Sequence, residues 1–273
     1  MASDSRFAVL IDAENVSVKY IKIIFDELSK DGVATYKRIY GDWTNPSLIS
    51  WKSTLLDNSI TPIQQYSYTS GKNSTDSAMI IDAMDILYSG KVEGFCLVSS
   101  DSDFTRLASR LRESGMSVIG MGESKTPNSF IAACNKFKYL DILSAADEEE
   151  GEESPKAEVA KKAAQPKKPV QKAAKKAKEE PKAEKESKPA DEPRTSLRTI
   201  RRALRTIVRE NSDEDNWIMV SQVCNLLDKR YPDFDVRNFG FSKLTPFLES
   251  LDMFEIKDMK KDSSSPQRYV RLK

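Results

Sequence analysis

FCLVSSDSDFTRLASRL, residues 95–111, runs from an apolar stretch through a Ser/Asp cluster into apolar residues at helical spacing. It reads as a strand, a turn and a helix in succession. The same order opens the chain at FAVLIDAENV, residues 7–16, where an apolar run closes on Asp12 and an amphipathic stretch from Ser17 to Lys30 follows. Between and beyond these two blocks, strands are expected over Ala34–Tyr40, Ile60–Tyr66 and Ser117–Met121. Helices are expected over Pro46–Asp57 and Thr75–Tyr88, with a last helix and strand through Asn128–Leu140. Alternating β and α elements imply an α/β fold with a parallel sheet and helices on both faces. In such sheets ligands bind beyond the carboxyl ends of the strands, near the switch in strand order.

The chain has 273 residues, 43 Lys+Arg against 42 Asp+Glu, three Cys and no His. Without imidazole there is no Ser-His-Asp or Cys-His pair, no His general base and no His-containing zinc site. Cys96, Cys134 and Cys224 are odd in number and never in C-x-x-C spacing, which argues against a disulfide framework and a structural zinc and points to a reducing compartment. The N-terminal apolar run is short, and no window approaches ~18 uninterrupted apolar residues. The expectation is a soluble, cytoplasmic protein without a signal peptide or membrane span.

The length suggests about two domains of roughly 100–200 residues each. Residues 145–195 are rich in Lys, Ala, Glu and Pro, with no aromatic, Leu or Ile, and such a segment buries too little apolar surface to offset its ordering entropy. It is expected to be a disordered linker with ends on the order of 40 Å apart. The resulting division is 1–144, a linker at 145–195, and a mildly basic unit at 196–273 with 15 Lys+Arg against 12 Asp+Glu.

Asp12 closes the first strand, and Asp101 and Asp103 follow the strand at Phe95–Ser99. Asp76 falls in the first turn of the helix after Gly71 and Lys72. All four are expected on one rim. Clustered carboxylates raise one another's pKa unless a cation neutralises them, and an all-oxygen ligand set suits Mg²⁺ or Mn²⁺. Such a cation on a carboxylate rim fits phosphodiester hydrolysis, with Asn15 orienting substrate or a ligand. Each aspartate also has a plainer reading. Asp101 and Asp103 precede a helix and can cap it, whereas Asp12 ends an apolar strand with no obvious structural partner. Asp82 lies roughly 240° round the helix from Asp76 by the 3.6-residue period, so it is read as supporting or structural; Asp85 and Glu14 are read as solvated. Lys72 can contact a phosphate or be an ordinary turn lysine. Tyr40, Trp43 and Trp51 can stack on bases, although helix packing suits Trp51 better. A P-loop is excluded because Tyr66 stands where its first Gly is needed and no Ser/Thr follows Lys72. No G-x-G-x-x-G follows the first strand, which removes the dinucleotide fingerprint.

With these residues in place, 1–143 resembles the NYN domain family, a PIN-like nuclease fold. The blocks are FAVLIDAENV, GKNSTDSAMIIDAMDIL, CLVSSDSDFTRLASRLRESGMSVIGMG and FIAACNKFKYLDIL, in the family's order. The resemblance implies a metal-dependent ribonuclease with Asp12, Asp76, Asp101 and Asp103 as acidic site residues and Asn15 beside them. The chain departs from the pattern at Ser100, where many members have Gly; a side chain there narrows the approach of a phosphate. The family also includes RNA-binding or regulatory members, so a non-catalytic RNA-binding regulator or scaffold stays open as the alternative.

The C-terminal unit reads as a small winged helix. Leu197, Ile200, Leu204, Ile207 and Val208 form an apolar stripe, and Arg198, Arg201, Arg202, Arg205 and Arg209 fall on another face. These arginines are either a phosphate-binding face or a solubilising one. Ser221 is expected to cap a second helix and Asp235 a short third, before a helix over Ser242–Leu251. The strands around Ile256 and Val270 are expected to form the wing. The segment FGFSKL, residues 239–244 and including Lys243, is the most telling part of a resemblance to the LOTUS, or OST-HTH, domain. That resemblance implies RNA as partner and a possible protein partner, a helicase in some members. The combined expectation is a Mg²⁺- or Mn²⁺-dependent endoribonuclease whose C-terminal module captures RNA while the linker raises its effective concentration at the acidic site. Nothing in the sequence indicates an oligomeric state.

Overall fold

The computed structural model describes residues 5–66, 74–152, 195–259 and 267–273. The N-terminal unit is a six-stranded sheet built from β1 (Arg6–Asp12), β2 (Val33–Gly41), β3 (Thr61–Gln64), β4 (Gly94–Val98), β5 (Ser117–Gly122) and β6 (Lys136–Tyr139). The strand order is β3-β2-β1-β4-β5-β6 and every pairing is parallel. The order reverses between β1 and β4, so the crevice at their carboxyl ends is the topological switch point.

Alternation along β1 sends Phe7, Val9 and Ile11 to one face and Ala8 and Leu10 to the other. The first face is covered by α1 (Ile21–Leu28), α2 (Trp51–Asp57) and α6 (Leu140–Glu152), whose Ile24, Trp51 and Leu143 join its core. The second is covered by α3 (Ser74–Ser89), α4 (Thr105–Glu113) and α5 (Asn128–Ala133), through Met79, Leu107 and Phe130. With both faces covered, the central strands are apolar throughout, as buried parallel strands require. The polypeptide does not leave regular structure at Ser144: α6 continues to Glu152, into residues assigned above to the linker. Leu140 and Leu143 anchor it in the core, and the Ala/Glu run that follows favours helix. The rest of the expected linker, 153–194, lies outside the described residues.

The C-terminal unit holds α7 (Leu197–Asn211), α8 (Val220–Arg230) and α9 (Leu244–Ser250) around its own core, with an antiparallel sheet of β7 (Ile218–Met219), β9 (Gln267–Leu272) and β8 (Phe254–Met259) in that order. The β8–β9 hairpin stands where the wing is expected. Ser221 is not a cap: α8 starts at Val220 behind Met219, because β7 pairs with β9 up to that residue. Asp235 does open the 3-10 turn Val236–Phe239, its side chain accepting from the Arg237 amide. Among the described residues no helix is long and apolar enough to cross a membrane.

Candidate metal centre

β1 and β4 are paired with Ile11 opposite Val98, so Asp12 and Ser99 leave the sheet side by side. The Asp12 carboxylate is buried, at 1 % exposure, and accepts four hydrogen bonds. Oδ1 takes the amides of Glu14 at 3.0 Å and Asn15 at 3.3 Å; Oδ2 takes Asn15 Nδ2 at 2.7 Å and Ser99 Oγ at 2.8 Å. Ser99 Oγ in turn accepts the Asp101 amide at 3.1 Å. Asp12 therefore has the structural partners that its sequence context does not reveal, and it fixes the start of the β4–α4 turn through Ser99.

Asp101 precedes the 3-10 turn Ser102–Phe104, and its Oδ1 accepts the Asp103 amide at 2.9 Å. Capping is thus one of its roles. It also converges with Asp76, in the first turn of α3, and Asp103: one carboxylate oxygen from each lies within 4.8 Å of the others. Asp12 is not part of this trio. Burial pushes the Asp76 carboxyl up, and the charges of Asp12, Asp101, Asp103 and Glu14 add to it, bringing it to about 6. Three mutually repelling carboxylates with only oxygen donors fit a hard divalent cation such as Mg²⁺ or Mn²⁺.

Two supporting residues carry no charge pattern and escape sequence reasoning. Ser99 is one; buried Thr75 is the other, its Oγ1 donating to Glu14 Oε1 at 3.2 Å. Glu14, read above as solvated, is exposed but tied to the base of α3 by that bond. Asp82 is paired with Arg38 and accepts from Tyr40 Oη, which ties α3 to β2; it is not one of the trio. Asp85 is exposed. The Ser100 hydroxyl turns to the carboxyl end of β5, where it accepts the Glu123 amide at 2.9 Å. Lys72 lies outside the described residues. Tyr40 and Trp51 are buried core residues, unsuited to base stacking. Half-buried Trp43 uses its indole N–H on the Ile63 carbonyl at 3.0 Å.

In the C-terminal unit Arg198, Arg201, Arg202, Arg205 and Arg209 are exposed along α7 and line one groove of about 1020 Å³. Arg201 is partly engaged, donating to the Leu251 carbonyl at 3.2 Å. Lys243 is exposed at the N-cap of α9.

A carboxylate trio at the switch point of a helix-flanked parallel sheet gives this α/β domain an acidic site. The NYN domain family matches residues 6–141 and the OST-HTH/LOTUS domain family matches residues 195–265. The chain is an NYN domain followed by an OST-HTH/LOTUS domain. No curated protein matches it. Among solved structures it is similar to the protein VPA0982 of Vibrio parahaemolyticus RIMD 2210633, with 18 % identity, 52 % of this chain and 96 % of that one covered and a TM-score of 0.44. It is also similar to the protein from gene locus NE0665 of Nitrosomonas europaea, with 26 % identity, coverage of 34 % and 91 %, and a TM-score of 0.26.

Proposed function

We propose that the chain is a metal-dependent endoribonuclease that hydrolyses RNA phosphodiester bonds and gathers RNA through its OST-HTH/LOTUS domain. The observation that carries this reading is the convergence of Asp76, Asp101 and Asp103 within 4.8 Å on the rim of an NYN sheet. These three side chains would hold Mg²⁺ or Mn²⁺. When bound, such a cation supplies Lewis-acid activation for phosphodiester hydrolysis and offsets the repulsion among the carboxylates.

The chain's own residues do the rest. Asp12 acts from behind, holding Ser99 and Asn15; through Ser99 it fixes the Asp101 amide, and exposed Asn15 faces the substrate side. Asp76, raised to about 6, is protonated in acid and largely ionised at neutral pH, the form in which it would serve as a cation ligand. Arg198, Arg202 and Arg205, with Lys243, give phosphates a basic surface whose contribution falls with salt. Lys72, two residues before α3 in sequence, would contact a phosphate as well. A cytoplasmic setting accords with three free cysteines, two of them buried.

The test is cleavage of end-labelled single-stranded RNA by the purified chain. Internal cuts that need Mn²⁺ or Mg²⁺ and vanish with chelator support the proposal; RNA left intact in every arm overturns it.

A further inference from the structure

The outward edge of β6 is not bare. The Phe137 amide donates to the Pro232 carbonyl at 2.7 Å, and at the strand end Tyr139 Oη donates to Asp233 Oδ2 at 3.1 Å. The same buried carboxylate receives Thr195 Oγ1, at 2.6 and 2.8 Å. Beside these bonds sits an ion-pair clamp. Arg237 forks onto Glu27 of α1, Nη1 to Oε1 at 2.6 Å and Nη2 to Oε2 at 2.8 Å, and onto Asp235 at 2.7 Å. Lys138 of β6 meets Asp235 at 2.9 Å. The Glu27 side chain is only 5 % exposed, and a carboxylate buried that far is tolerated only when paired. A cleft of about 600 Å³ remains alongside, lined by Ile23, Leu143 and Phe241 among others.

We propose that the OST-HTH/LOTUS domain docks in cis on the β6 edge and that this docking sets its arginine groove beside the acidic rim, making one RNA-binding face from two domains. All six strands are parallel, so Tyr139 ends β6 on the same sheet edge where Asp12 ends β1. β6 is two strands from β4, roughly 10 Å at ~4.8 Å per strand. Thr195, bonded to the Asp233 that holds Tyr139, leads directly into α7. Arg198 and Arg202 share a groove with Arg230 and Tyr231, and the next residue, Pro232, is the one on β6. The basic groove therefore adjoins the docked edge. Docking in cis is within reach: the thirteen residues of α6 run about 20 Å, a gap residues 153–194 span several times over at ~3.3 Å per residue.

The RNA half of this proposal rests on the nuclease reading; the docking half does not, and the two are read separately. For docking, full-length chain is mixed with its ¹⁵N-labelled copy and treated with a carbodiimide, which condenses the Lys138 amine with the Asp235 carboxylate to an amide. The link between Lys136 and Asp31, both within the NYN domain, serves as the internal control. The expected result is a 138–235 link between peptides of the same isotope only, reduced about tenfold or more in Arg237→Ala, which breaks the buried pairs. Mixed-isotope links would mean docking onto a second copy, and a control link without a 138–235 link would mean no docking; either overturns the proposal. For the shared face, RNA affinity is measured in Arg237→Ala and in Glu27→Gln, which undoes the clamp from the NYN side. Both are expected to bind a long single strand about tenfold more weakly, with a short oligomer bound as before, because only the long strand engages both surfaces. Long-strand affinity equal to wild type in both variants overturns the shared face, whatever the cleavage assay gives.

Discussion

Asp12 accepts four hydrogen bonds, and a carboxylate so engaged works through what it holds. Ser99→Ala removes the hydroxyl that links Asp12 to the Asp101 amide. It should cost about 1–3 kcal/mol, the range for buried partners left unsatisfied, read from urea midpoints, and lower RNA turnover although Ser99 itself is buried. Asp76→Asn should do the opposite to stability. The folded-state pKa of Asp76 is raised to about 6, so its contribution is fully present below its ordinary value and is lost as pH rises through about 6. In metal-free protein at pH 8, Asp76→Asn should therefore be more stable by about 1 kcal/mol, discounted for its partial exposure, with no gain at pH 4; chemical denaturation at the two pH values checks this. Asp12, Asp101 and Asp103 stand out in sequence because they follow apolar runs, and Asp76 because it opens a helix; of the four, Asp76, Asp101 and Asp103 converge in the structure. Ser99 and Thr75 are not, because a hydroxyl carries no charge signal and their roles exist only once β1–β4 register and the α3 start are known.

At the level of elements, the carboxyl end of β5 supports the turn that carries Asp101. A Cβ on Gly122 would lie 2.6 Å from the Ser99 carbonyl and 2.7 Å from Thr126 Oγ1. Backbone on one side and a buried, hydrogen-bonded hydroxyl on the other leave little room to give. Gly122→Ala should destabilise the NYN domain by about 1–3 kcal/mol, seen as a lower thermal midpoint, and reduce turnover by moving the Ser99–Ser100 segment. The order of strands and helices is readable from apolar runs alternating with helical spacing, and every strand of the sheet overlaps an expected segment, with ends that differ by a residue or more. Two boundaries were not readable. The end of α6 is hidden because its acidic tail has the composition of a linker, while its anchor, Leu140 and Leu143, lies a turn or more earlier. The start of α8 is set by β7 pairing with a strand some fifty positions later, so a nearby serine misleads. Ser100, read in sequence as narrowing the approach of a phosphate, also ties its turn to the residue after β5 by accepting the Glu123 amide.

For the molecule as a whole, the contact between Glu27 and Arg237 joins positions 210 apart, and no local pattern announces it. Burial pushes the Glu27 carboxyl up, but hydrogen bonds from Arg237 and Lys30 and the charges of Arg237 and Lys138 outweigh burial and hold it at about 2. A depressed folded-state pKa gives stability that is present above about 4.5 and lost as pH falls toward 2. Thermal unfolding of the full chain should accordingly lose cooperativity between pH 4 and 3, the two domains melting apart, whereas Arg237→Ala should show separate transitions already at pH 7; calorimetry decides. The two family matches lie on either side of a break in composition that the sequence shows, and the expected linker over 153–194 lies outside the described residues. Whether the acidic rim cuts RNA is decided by comparing wild type with Asp101→Asn on end-labelled single-stranded RNA in Mn²⁺, with binding followed in parallel. Internal cleavage is expected from the wild type and should fall about 100-fold or more in the variant, the scale of losing an electrostatic stabiliser, with RNA affinity retained. Equal cleavage by both proteins, or binding with no cleavage by either, would mean that the rim is not a nuclease site.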